Sequence, residues 1–382
     1  RGFEMDFTRS EDSRQVQELA AQIFADNSSD ATLKRFDRGE IAFNTELWKL
    51  LAEAGLLGVA LGEEFGGSGF GFTELCAVFE EQGRQVAALP LLATVVLGAL
   101  PVAEFGSDAQ RARWLPGVAD GSVLLSGALC YPDAGGHGER LPRAQRDGDA
   151  WLLEGALDRV PYALEASAFV VPARADNGDT PVFLVPGNVA GLERERRRGT
   201  NHEPIDALEF AGVRLQAADL LGKPGDGAGI AEWSGLRAAT ALGFMQLGVL
   251  ADALRRTAEH TVTRKQFGKP LAGFQAVAHR AADAYIDIEA LRSTAWQAAW
   301  RISGQLPAES AVASVAWWAC EAGHRVGHTA QHLHGGIGAD VDYPIHRYYL
   351  WAKQIELMLG GGNRILARFG SSLSQQTIEI GL

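Results

Sequence analysis

Hydrophobic positions along the first third of the chain recur with helical spacing. In RQVQELAAQIF the apolar side chains fall at Val16, Leu19, Ala20, Ile23 and Phe24, one face of a helix. NTELWKLLAEAGLLGVAL opens on an Asn44 or Thr45 cap and closes in glycines, and SDAQRARWLPGVADG predicts a short helix capped by Ser107 and ending near Pro116. The most apolar run, AALPLLATVVLGALPVAEF, is broken by Pro90 and Pro101. That leaves about ten uninterrupted residues where a membrane span needs about 20, so it reads as a buried core segment.

From Val123 to about Gly225 the spacing changes. SVLLSGAL, DAWLLEGAL, SAFVVPA, TPVFLVP and ALEFAGVRL are strand-length apolar runs set apart by glycine, proline and aspartate, as in a barrel or sandwich. QRDGDAW predicts a tight turn through Asp147-Gly148. After GKPGDGAGI helical periodicity returns, with long helices expected over Ile230 to Thr263, Phe274 to Ser303 and Ala308 to His334. Helices of this length without internal breakers pack as a bundle. The chain therefore divides into a helical region at 5–122, a β region at 123–225 and a helical region at 226–382. Residues 1–4 are read as preceding the native start at Met5 and are left out of this division, and no signal peptide is read at the start.

Charge narrows the function classes. Against 35 Lys and Arg stand 47 Asp and Glu, a net charge of −12, which argues against nucleic-acid backbones and anionic membrane surfaces as partners. Cys76, Cys130 and Cys320 are odd in number and far apart, so neither a disulfide framework nor a CxxC metal pair is expected, and a cytoplasmic setting follows.

Three local patterns carry candidate chemistry. RKQFGKPLAGFQ, Arg264 to Gln275, leaves one long helix, turns and enters the next. Arg264 offers a planar fork for a pyrophosphate and Phe267 a face for a ring; the competing reading is a basic interhelix turn with a buried Phe. HLHGGIGADVDYP, His332 to Pro344, combines His332 and His334 with Gly335, Gly336 and Gly338, which allow close backbone approach to a ligand. His324, His328 and His332 share a helix face, but no carboxylate stands among them in a zincin arrangement, so no metal site is expected. Third, IELMLGGGNRIL interrupts an apolar helix with Gly360, Gly361 and Gly362. Each glycine costs roughly 0.8–1 kcal/mol in a helix, so these mark either a helix end or a close approach.

Together with LWKLLAEAGLLGVALGEEFGGSGFG and EFGSDAQRARWLPGVADG, these motifs resemble the acyl-CoA dehydrogenase family over nearly the whole chain. The resemblance implies an α+β multidomain fold: an N-terminal helical domain, a middle β-barrel and a C-terminal four-helix bundle. It also implies FAD-dependent α,β-dehydrogenation of an acyl-CoA thioester, with a carboxylate base that must reach the α-proton.

The catalytic side departs from that pattern. The position implied for the base holds Leu359. An alternative base position on the first bundle helix falls on Trp233, leaving Glu232 a candidate through a shifted register, with Glu356 a weaker one. A Thr-Glu-Pro-x-x-Gly-Ser-Asp run is replaced by CYPDAGGH, Cys130 to His137. In GALDRVPYA, Arg159 stands for a flavin-stacking aromatic and Pro161 for a hydroxyl residue, removing a backbone donor as well.

The motifs that the resemblance implies bind the adenosine and pyrophosphate half of a neighbour's FAD are kept: Arg264, Gln266, Phe267, Leu271, Gln275, Gly335 and Gly336. Phe274 and His332 differ from the usual His and Gln but still stack or hydrogen-bond. The chain thus resembles base-less subunits of actinobacterial heteromeric acyl-CoA dehydrogenases acting on steroid side chains. The resemblance implies an FAD site shared with a second acyl-CoA dehydrogenase subunit in an α2β2 assembly. The alternatives are a self-sufficient homo-oligomer using Glu232, and a flavin-free acyl-CoA-binding or lyase protein on the same fold.

Overall fold

The computed structural model describes residues 10–128 and 141–375. Its N-terminal helices are α1 (Glu11–Asn27), α2 (Asp30–Asp37), α3 (Thr45–Glu53) and α4 (Phe72–Arg84). Their starts follow capping chemistry, with the Ser10, Ser29 and Asn44 side chains accepting backbone N–H groups of the first turns. The apolar run around Pro90 forms a buried π-helical stretch, Leu92–Ala99, that continues into α5 (Leu100–Phe105).

Helix α6 (Asp108–Ala119) has the expected Ser107 cap but passes through Pro116 rather than stopping there. Proline removes its own donor, yet the Pro116 carbonyl still accepts the Asp120 N–H at 3.1 Å, which completes another turn.

The middle region contains β1 (Leu125–Gly127), β2 (Arg143–Asp147), β3 (Ala150–Pro161), β4 (Ala168–Pro172), β5 (Arg174–Ala175), β6 (Val182–Pro186), β7 (Leu192–Glu195), β8 (Ile205–Leu215) and β9 (Leu220–Leu221). The expected barrel is not closed among the described residues. The strands form two sheets, ordered β1-β4-β6-β9 and β5-β2-β3-β8-β7. Phe169, Phe183 and Val185 of the first pack against Leu153, Leu208 and Phe210 of the second. The opposite face of the first sheet, through Val170, Val182 and Leu184, joins the helical core. Burial on both faces explains why β4 and β6 read as continuous apolar runs. The β2–β3 turn sits one residue later than expected: Asp147 pairs with Ala150, so Gly148 and Asp149 form the loop.

The C-terminal helices are α7 (Gly227–Thr263), α8 (Gln275–Ser303), α9 (Glu309–His334), α10 (Ile345–Met358) and α11 (Gly362–Gln375). α7, α8 and α9 pack on one another, α10 lies against α9 and α7, and α11 against α9. The short hairpin β10 (Lys265–Gln266) and β11 (Lys269–Pro270) joins α7 to α8. Helix α4 crosses α7 so tightly that a Cβ on Gly83 would lie 2.0 Å from the Met245 carbonyl oxygen, and one on Gly248 would lie 1.9 Å from that of Glu80. Arg347 of α10, 3% exposed, donates to Asp37 at 2.7 Å and Asp30 at 2.8 Å, fixing α2 to the C-terminal helices. Among the described residues no helix is long and apolar enough to cross a membrane.

Candidate functional site

The α7–α8 connection is built to display an aromatic ring. Gln266 pairs with Lys269, leaving Phe267 and Gly268 as a two-residue turn with φ of +52° and +80°. Positive φ at both positions is the twist that hairpins favour, but for a phenylalanine it costs about 1–2 kcal/mol. Phe267 is 92% exposed, which removes the reading of a buried Phe in an interhelix turn. Phe274 meets it edge-on at 6.2 Å and carries the Lys269 ammonium 4.2 Å above its own ring. Arg264, Gln266 and Gln275 are exposed beside them, and Leu271 is half-buried.

The second glycine motif lies at the same end of the helices. His260, near the end of α7, stacks on His334, the last residue of α9, with ring centroids 4.4 Å apart. Burial lowers both imidazole pKa values; Arg264 adds to the effect at His260, and His260 itself adds to it at His334. The stack joins the end of α7, from which the Arg264 hairpin leaves, to the end of α9, which Gly335 and Gly336 follow. A Cβ added to either glycine would meet nothing within 4 Å, so the backbone there borders open space. His332 is exposed on the same end. An outward guanidinium, an outward ring and an uncovered glycine backbone suit an anionic, ring-bearing group.

A cavity of about 380 Å³, lined by none of these hairpin or glycine-motif residues, lies between the β region and the C-terminal helices. Arg159 and Pro161 line it, with Leu92, Leu97, Ala238 and Leu242 forming an apolar floor. The side chain standing for the expected aromatic is thus a cation. Pro161 has no N–H to give, and its carbonyl is already taken by the Ser126 hydroxyl at 2.5 Å. These residues do not fit a stacked flavin ring. CYPDAGGH lies outside the described residues.

Leu359 does not face this cavity. It caps α10, is 1% exposed and belongs to the helical core, while its neighbours Leu357 and Met358 line the cavity. The glycines after it end the helix. Gly360 and Gly361 adopt φ of +86° and +87°, and the Gly361 N–H returns to the Glu356 carbonyl at 3.0 Å, so α10 stops and α11 starts in a new direction.

Glu232 is exposed and borders a separate polar cavity with Arg301, Glu309 and Arg368. Trp233 packs on Phe105 and under the Arg237 guanidinium. The Glu356 carboxylate pairs with Lys353 at 2.7 Å, and the Lys353 ammonium also meets His324 Nδ1 at 2.9 Å. A cation so close to His324 opposes a metal there, and no group of three or more ligating side chains occurs among the described residues.

Several cavity residues escape sequence reasoning. Arg197 and Arg198 come from the β7–β8 loop. Fully buried Asp206 holds that loop by accepting the Arg197 N–H at 3.1 Å, and Gln354 of α10 accepts the Thr200 N–H at 2.7 Å. The run ERERRRG, basic within an acidic chain, was the available signal.

Residues 10–122 match the N-terminal domain model of acyl-CoA dehydrogenases, and residues 225–370 match the C-terminal domain model. The chain belongs to the acyl-CoA dehydrogenase family. It is similar to acyl-CoA dehydrogenase FadE27 of Mycobacterium tuberculosis, with 39% identity over 379 residues, covering 97% of this chain and 99% of that one. Among solved structures it is similar to a chain of the ChsE4–ChsE5 complex from Mycobacterium tuberculosis, at 39% identity and TM-score 0.91, covering 97% of this chain and all of that one. A variant of the Tcur3481–Tcur3483 steroid ACAD matches at 42% identity and TM-score 0.88, covering 96% and 98%. The acyl-CoA dehydrogenase fold, with helical, β and helical regions in that order, accounts for the architecture above.

Proposed function

We propose that this chain is the base-less subunit of a heteromeric, FAD-dependent acyl-CoA dehydrogenase. It completes the adenosine and pyrophosphate half of a flavin site whose ring side and catalytic carboxylate belong to a second acyl-CoA dehydrogenase subunit. One contrast carries the reading. Phe267 is 92% exposed on a strained turn beside Arg264, while Leu359 is sealed in the core and Arg159 lines the cavity where a ring would stack.

In this role the Arg264 fork pairs with the pyrophosphate, Phe267 and Phe274 offer ring faces, and Gly335 and Gly336 let the backbone approach. Gln266, Leu271, Gln275 and His332 border the same group. Bound FAD would supply the acceptor for a hydride from the substrate β-carbon, and a carboxylate of the partner subunit would take the α-proton. The C-terminal helices serve as a four-helix bundle, and two copies of each subunit form an α2β2 assembly. The heteromeric relatives support a partner of the same family, and the steroid ACAD supports a steroid-CoA thioester as substrate. Buried, unpaired Cys76 and Cys320 suit a cytoplasmic enzyme.

The test is flavin content, measured on the chain purified alone and again after co-expression with a candidate partner subunit. A colourless chain that enters a yellow complex near one FAD per pair is expected. A chain that is yellow and turns over an acyl-CoA on its own overturns the reading and makes Glu232 the next residue to replace.

A further inference from the structure

The β7–β8 connection folds back on itself between Arg198 and Pro204, which bridge across it. Within it the Gly199 N–H donates to the Glu203 carbonyl at 2.8 Å and the His202 N–H to the Gly199 carbonyl at 3.0 Å. The three regions of the chain meet at this loop. The Thr200 N–H reaches Gln354 of α10, the Arg198 guanidinium lies over Gly39 after α2, and the Pro204 carbonyl accepts the Tyr162 N–H at 3.1 Å. Arg197, Arg198, Gly199 and Thr200 form one wall of the cavity of about 380 Å³. His202 in the loop and Tyr162 against it have φ of +68° and +52°. For non-glycine residues such backbone persists only where surrounding contacts impose it.

The Glu203 side chain supplies those contacts. It accepts from Tyr162 Oη at 2.9 Å and from Asn201 Nδ2 at 2.6 Å, and Tyr162 is itself buried. The charges around it do not balance. Glu165, on the turn after β3, and Asp206, on β8, share the single guanidinium of Arg196. Arg194 is directed to the Ala163 and Ala166 carbonyls, and Arg197 to Asp158 and Glu195. Arg198, over Gly39, and His202 are the remaining charged or titratable side chains of the loop, and α10 meets it through the neutral amide of Gln354. Among the described residues no cation pairs with Glu203. An enclosed carboxylate without a cation favours either a proton or exposure to water. We propose that Glu203 is a proton-operated clasp: uncharged, it keeps the loop closed on Tyr162 and α10, and ionised, it releases this wall of the cavity. The clasp belongs to this chain alone and does not depend on the lending of a flavin half.

Hydrogen exchange of the full chain, read at residues 199–203 and corrected for the intrinsic pH dependence of amide exchange, tests this. Desolvation raises the Glu203 pKa from 4.5 to about 7, so the protection factor of the loop should fall about tenfold between pH 6 and pH 8. The loop should also exchange faster than β4 and β6 at each pH, because it opens without global unfolding. Glu203→Gln should abolish the fall. His202→Asn, which removes the loop's imidazole and suits its positive φ, should keep it. Tyr162→Phe removes a bond that favours the carboxylate, so the fall should move to higher pH, whereas a simple loss of packing would lower protection equally at every pH. Where Glu203→Gln does not fold, Tyr162→Phe decides. Constant protection from pH 6 to pH 8, a fall that survives in Glu203→Gln or disappears in His202→Asn, or an unmoved midpoint in Tyr162→Phe would overturn the proposal. So would loop amides that exchange together with β4 and β6.

Discussion

His334 stacks on His260 at 4.4 Å while its own Nδ1 lies 2.8 Å from the Ala330 carbonyl oxygen and its buried Nε2 meets no polar partner among the described residues. The contact joins the last turns of α7 and α9, and through them the Arg264 hairpin and the Gly335–Gly336 backbone. Both imidazole pKa values are lowered, chiefly by burial. A depressed histidine pKa means that the folded state favours the neutral ring. Its stabilising contribution is complete above the ordinary value of 6.5 and is lost as pH falls below it. The hydrogen-exchange protection factor at the hairpin, corrected for the intrinsic pH dependence of amide exchange, should therefore fall between pH 7 and pH 5. His334→Phe keeps the stack without the titrating nitrogen, and in that variant the acid-side loss of protection should shrink.

Phe267 gives a prediction that separates stability from assembly. Its φ of +52° suits asparagine better than phenylalanine. Phe267→Asn should leave the melting temperature of the isolated chain unchanged or slightly raised. If the exposed ring packs in a shared site, the same change should weaken association with the partner by about tenfold to a hundredfold. Sedimentation of the mixed subunits and flavin retention in the complex measure this directly. Equal assembly by both proteins would remove Phe267 from the interface.

What the sequence made legible follows from how local each signal was. α7, α8 and α9 bury one face against neighbours over many turns, so their periodicity predicted them to within a few residues. Strands β2 and β7 were not foreseen, because RAQRD and LERE are mostly exposed and show no apolar alternation. The π-helical stretch Leu92–Ala99 is apolar all round, and periodicity cannot distinguish that from an ordinary buried helix. At the site, Arg264 and Gly335 were visible as motifs, whereas the cavity was not. It assembles Arg159 from a bulge, Arg197 and Arg198 from a loop and Met358 from α10, and no sequence window contains all three sources.

Glu203 gives a pH dependence of opposite sign to the histidines. Its carboxylate accepts from Tyr162 Oη at 2.9 Å and Asn201 Nδ2 at 2.6 Å, but desolvation outweighs both bonds and raises its pKa from 4.5 to about 7. A raised carboxyl pKa contributes stability that is complete below about pH 4.5 and is lost as pH rises through about 7. The full swing is about 3 kcal/mol. Denaturant midpoints from pH 5 to pH 8 should carry this component, and Glu203→Gln should lack it. An unchanged slope in the variant would mean that Glu203 is already ionised in the folded chain at pH 5.

Restoring a carboxylate at position 359 should not restore a catalyst. Leu359 sits 1% exposed at the end of α10, where its N–H bonds to the Ile355 carbonyl at 3.0 Å and its side chain packs in the helical core. Gly360 and Gly361, both at positive φ, turn the chain immediately afterwards, so little freedom remains to swing residue 359 outward. A glutamate there would be an unpaired buried charge and should cost about 3 kcal/mol or more. Leu359→Glu is expected to lower the melting temperature and to show no acyl-CoA dehydrogenation by the chain alone, even with FAD supplied. Leu359→Gln, isosteric with the glutamate but uncharged, should lose less stability and be equally inactive. If Leu359→Glu instead turned over substrate at a rate that followed a single carboxyl titration, the core would have to open at α10, and the present burial of Leu359 would be one state of a moving segment.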